Sequence, residues 1–144
     1  MIRSFMCAIL AGFAAVSVGA GVIAHTTTAL AQETPAGMIR VTPGAATRVF
    51  IMAAFDDACK SLPEPPIEIT QRPAKGEVQF RPGQSTVVQF SLSGKCQGTR
   101  VTGTGIYYAA RADASGEDTF SISAKLATGE VASRSFKMFL SDGL

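Results

Sequence analysis

The chain has 144 residues, with 13 Lys and Arg against 11 Asp and Glu, a single histidine, three cysteines and no tryptophan. That length predicts one domain, and the near balance of charge, with no block of like sign, excludes nucleic acid and anionic membrane surfaces as expected partners. The one histidine, His25, falls in a segment expected to be removed, which excludes a Ser-His-Asp triad, a Cys-His dyad and a His-ligated zinc site from the mature chain.

That segment is the N-terminus. Arg3 is the only charge before the apolar run from Phe5 to Ala24, a polar patch His25–Thr28 follows, and Ala29-Leu30-Ala31 precedes Gln32. A positive start, an apolar middle and an Ala-x-Ala end describe a secretory signal peptide over residues 1–31, an N-terminal signal helix cut between Ala31 and Gln32. The apolar part exceeds the usual ~7–15 residues, and about 20 apolar residues also suffice for an uncleaved anchor. The Gly and Ala content and the well-placed cleavage site favour removal. The mature chain is then periplasmic or secreted, with no membrane span. Cys7 leaves with the signal, and Cys59 and Cys96 remain as an even pair in an exported protein, for which a disulfide is expected.

Residues 32–46 read as a flexible lead-in with a short edge strand over Met38–Thr42, closed by the Pro43-Gly44 turn. Residues 47–144 form the domain. Thr47–Phe55 is apolar on both faces and predicts a strand. Asp56–Pro66 is irregular: Asp56-Asp57 caps a turn holding Cys59, and three prolines between Leu62 and Ile67 exclude helix or central strand. Ile67 and Ile69 open the next strand. Val78 and Phe80 face in on another, between turns at Arg72–Gly76 and Pro82–Gln84. Val88, Phe90 and Leu92 alternate on a further strand, and Gly98–Gly105 reads as loose. Ile106 with Tyr108, and then Phe120 with Ile122, have the period of two of half-buried strands, joined by a hairpin or a short connection through Asp113, Ser115 and Gly116. Phe136, Met138 and Leu140 alternate on the last strand. About seven short strands with regular turn signals, and no amphipathic helix pattern after the signal, predict an all-β antiparallel sandwich or barrel.

The run Pro73-Ala74-Lys75-Gly76-Glu77-Val78, with Ile106-Tyr107-Tyr108 and Gly116-Glu117-Asp118-Thr119-Phe120 after it, resembles the strand-opening motifs of bacterial immunoglobulin-like and cadherin-like repeats. The resemblance spans roughly residues 67–140 and implies an immunoglobulin-like sandwich. It also implies that Gly76 and Gly116 serve turns, that Asp118 ties down a loop, and that Tyr108 and Phe120 fill the core. The chain carries neither a tandem repeat nor the Asp-rich linkers that hold calcium between cadherin repeats, and it has no tryptophan to pack on an antibody-type bridge.

The remaining residues offer little chemistry. Asp113, Glu117 and Asp118 surround one Ser-Gly turn and have the oxygen chemistry of a weak calcium loop, but turn formation and solvated charge explain them more simply. No nucleophile elbow, Ser-x-x-Lys or phosphate loop occurs. Tyr107, opposite in direction to Tyr108, is a candidate for a sugar or protein contact, or packs under a loop. Lys95, Arg100 and Arg111 read as scattered charge. No catalytic residue, cofactor or metal is expected. The expected function is a non-catalytic exported module that binds a protein or cell-envelope component. The alternatives are an inhibitor or accessory subunit of an exported enzyme, acting through Leu62–Pro66, and, with least support, a carbohydrate-binding module.

Overall fold

A computed structural model describes residues 36–89, 91, 94–127 and 129–142. The proposed signal peptide, the Ala31–Gln32 junction and the start of the lead-in lie outside the described residues, as do Phe90 and Leu92.

The described residues form seven strands in two sheets and no helix. In chain order these are β1 (Ile39–Val41), β2 (Ala46–Met52), β3 (Ile67–Gln71), β4 (Gly76–Val87), β5 (Arg100–Ala110), β6 (Gly116–Lys125) and β7 (Val131–Leu140). One sheet has the order β1-β7-β6-β3 and the other β2-β5-β4. All pairings are antiparallel except β1 with β7, where Ile39, Arg40 and Val41 run beside Met138, Phe139 and Leu140.

The alternating residues of the two sheets meet in one core. Val41, Ile106, Tyr108, Phe120, Ile122 and Met138 are fully buried. Each large side chain removed from water contributes about 1.5–3 kcal/mol. An aromatic row crosses between the sheets: Tyr108 lies 6.1 Å from Phe120, Phe120 4.9 Å from Phe136, and Phe136 5.9 Å from Phe50.

Of the two readings of the passage from Ile106–Tyr108 to Phe120–Ile122, the short connection holds: β5 and β6 belong to opposite sheets, and residues 111–115 carry the chain from one layer to the other. Three local expectations change. Pro82-Gly83 does not reverse the chain. It forms a bulge inside β4, whose pairing with β5 resumes at Gln84↔Gly103 after Arg81↔Gly105, so that the proline needs no ladder donor. The segment after Gly98 is β5 itself, since Gly103 and Gly105 are strand residues closely covered by Ala53 and Gln84. Finally, β2 ends at Met52, and a bulge between Arg48 and Phe50 turns Phe50 towards the core.

Cys59 and Cys96 are joined, with Cα atoms 5.4 Å apart. The bridge ties the 53–66 loop to the segment before β5, and both cysteines adopt left-handed backbone angles, φ 63° and 67°.

Candidate functional site

Three places combine polar groups with defined geometry. The first is a buried carboxylate between the β3–β4 turn and the start of β6. Asp118 is 6% exposed. Its Oδ1 accepts from the amides of Ala74 (3.0 Å) and Thr119 (2.9 Å), and its Oδ2 from the amide of Lys75 (2.8 Å) and the hydroxyl of Tyr108 (2.7 Å). Burial alone pushes this carboxyl up, but the hydrogen bonds outweigh it and hold Asp118 below the ordinary carboxylate range. Burial, reinforced by the neighbouring carboxylate, pushes the Tyr108 phenol well above its ordinary value. Every lone-pair direction of Asp118 faces a fixed donor, so the group locks a turn in place and has no proton to exchange near neutrality.

The same end of the molecule is tied down further. Lys75 Nζ donates to the carbonyl of Ser115 at 2.7 Å, and Arg111 donates to that of Ala74 at 3.1 Å. At Gly76 an added Cβ would strike the Ala109 carbonyl and the Tyr108 ring, so no other residue lets the turn approach β5 this closely. Gly116 adopts φ 80° where the chain enters β6, and Phe120 sits under Tyr108. Asp113 is drawn off towards Arg111, 3.8 Å away. Among the described residues no three His, Cys, Asp or Glu side chains converge as metal ligands would.

The second place is the outer face of the β2-β5-β4 sheet. Tyr107 points away from the core, with Arg48 and Gln79 opposite it on the flanking strands. The Arg81 guanidinium lies 4.0 Å from the Tyr107 ring centroid, and the Tyr107 hydroxyl donates to Gln84 Oε1 at 3.0 Å. Gly105 is the floor beneath them: a Cβ there would press on the Gln84 amide and the Tyr107 ring. Neither Arg48 nor Arg81 has a carboxylate partner among the described residues. The face therefore presents two cations, one phenol and two amides on a flat support. It offers hydrogen bonds and charge, with no nucleophile and base in contact.

The third place lies beside the free edge of β2. Two adjoining clefts of about 430 and 380 Å³ share Phe50, Met52, Ala53, Phe55 and Arg134 on their walls. Arg134 occupies the core-facing register of β7 along with Phe136 and Met138, at the open end of the sandwich, and its guanidinium lies 4.2 Å from the centre of the Phe50 ring.

In the 62–66 loop Pro63 and Pro66 are exposed. Pro65 is buried, and Glu64 turns inward, accepting from the amide of Gly83 at 2.7 Å and from the Thr104 hydroxyl. The outer-face cluster was only partly visible in the sequence. Alternation marks Tyr107 as opposite to Tyr108, but Arg48, Arg81 and Gln84 come to it from other strands. Arg134 had a direct signal, a charge on the apolar parity of β7.

No protein-family model matches the chain, and no match was found among curated proteins or solved structures.

Proposed function

We propose that the chain is an exported, non-catalytic module of immunoglobulin-like topology that binds a protein or cell-envelope component through the outer face of β2-β5-β4. The observation that carries the reading is the Arg48–Tyr107–Arg81 group, a cationic and aromatic cluster built on the outside of a sheet. Aromatic and arginine side chains are the types enriched where proteins meet. The strand order supports the topology: β2-β5-β4 facing β7-β6-β3 matches the B-E-D and C-F-G layers of immunoglobulin domains, with β1 joining the edge of the second layer. A covalent bridge and an apolar N-terminal run with a cleavage site support export.

The test is site-specific photo-crosslinking in the producing cell. A photoreactive residue at Gln79, on the proposed face, is expected to give a discrete adduct that disappears with Arg81→Glu. The same residue at Thr119, exposed on the other sheet, is expected to give none. Equal labelling from both faces, or none from Gln79, would refute the assignment.

A further inference from the structure

The clefts beside β2 have a composition the outer face does not share. The one of about 430 Å³ is walled by Val49, Phe50, Met52, Phe55, Val88 and Val101, and its only charged side chains among the described residues are Arg48 and Arg134. No described carboxylate lines it, although Asp57 and Glu130 line the adjoining cleft, and among the described residues Arg134 makes no ion pair. Its guanidinium carbon lies 4.2 Å from the Phe50 ring centre and 5.8 Å from that of Phe136, a cation–π arrangement that holds the charge beside the two rings. The volume of about 430 Å³ is within the usual range for small-molecule sites, which are mainly apolar with a few placed polar groups.

Aliphatic and aromatic side chains beside two arginines, with no carboxylate among the described lining residues of this cleft, fit one kind of occupant. We propose that the cleft beside β2 binds a single-chain amphipathic anion, a long-chain aliphatic carboxylate, with its head on Arg134 and its chain along Phe50 and Met52. An inward-pointing arginine on an edge strand also hinders edge-to-edge pairing. That role requires neither a ring beneath the guanidinium nor an apolar cleft beside it. The site adjoins the proposed partner face through Arg48, while Arg81 and Tyr107 do not line it.

The probe is dodecanoate, titrated below its micelle concentration into the ¹⁵N-labelled full chain and followed by amide shifts. We expect saturable one-to-one shifts centred on residues 48–55 and 132–136. Acetate, which has the head without the chain, and dodecyltrimethylammonium, which has the chain with the opposite charge, should not reproduce them. Arg134→Gln should weaken dodecanoate roughly tenfold to a hundredfold, the effect of losing a charged hydrogen bond, with an unchanged melting temperature because the side chain is exposed. Arg81→Glu should leave dodecanoate binding intact, whatever it does to crosslinking from the outer face. Absence of saturable shifts, an equal response to dodecyltrimethylammonium, or undiminished affinity in a folded Arg134→Gln variant would each overturn the proposal.

Discussion

The Tyr108 hydroxyl reaches from one sheet to the other to donate a 2.7 Å hydrogen bond to Asp118 Oδ2. Asp118 also takes the amides of Ala74 and Lys75, so one carboxylate joins β5, β6 and the β3–β4 turn. Tyr108→Phe removes one charged hydrogen bond and is expected to lower stability by about 1.5–3 kcal/mol. Asp118→Ala strands several donors in a buried place and should cost about 3 kcal/mol or more. A double-mutant cycle read by chemical denaturation should show coupling between the two; strict additivity would mean that the bond across the sheets contributes nothing of its own.

Acid should unfold the protein partly through the same carboxylate. The folded state holds Asp118 below its ordinary value, so its stabilising effect is complete above the unfolded carboxylate value of about 3.9. It is lost as pH falls below that point and through the folded value. Thermal melts across this window should show a steeper decline for the natural chain than for Asp118→Asn, which starts lower and has no charge to lose. Parallel pH profiles would contradict the assignment.

Removal of the covalent bridge should be costly in a chain of this size. For the separation of 37 residues between Cys59 and Cys96, the chain-entropy model gives about 4 kcal/mol. Reduction, or the double serine variant, should lower the denaturation midpoint accordingly. The left-handed angles of both cysteines add a further expectation. Replacing both with glycine should leave a protein about 2–4 kcal/mol more stable than replacing both with alanine, because only glycine adopts those angles without the steric cost that each alanine incurs.

Gly76→Ala should destabilise the molecule although the change is one methyl group. The added carbon would meet the Ala109 carbonyl and lie 2.9 Å from Tyr108 Cζ, so the β3–β4 turn must move and its amides must leave Asp118. Gly83→Ala offers a comparison, since nothing lies near its Cβ direction but its φ is 71°. Its cost should be confined to the backbone penalty of about 1–2 kcal/mol, whereas Gly76→Ala should exceed that and also abolish the protection of the Lys75 amide in hydrogen exchange.

The strands legible in the sequence were those whose alternation is undisturbed, as in Ile67–Ile69, Phe120–Ile122 and Phe136–Leu140. They sit in the sheet that has one side buried and few interruptions. The other sheet was read less well because its breaks in pattern are accommodated by pairing. The Pro82-Gly83 bulge is tolerated since β5 continues alongside, and Gly103 and Gly105 stay in register because neighbouring side chains cover them. Periodicity also carries no information on which layer a strand joins, so the passage from Tyr108 to Phe120 read equally as a hairpin or a crossing. The outer-face cluster depends on residues from three strands and becomes apparent only when their register is known.

β1 lies beside β7, and the amide of Ser141 donates to the carbonyl of Val41 at 3.2 Å. The earliest strand of the described chain thus completes its shelter only against the latest. Until residues 131–141 have been added, Val41 lacks its strand partner and β6 is paired on one edge only, with β3. An oxidised chain truncated before Val131 should accordingly remain open to proteases, and one that continues past Ser141 should not.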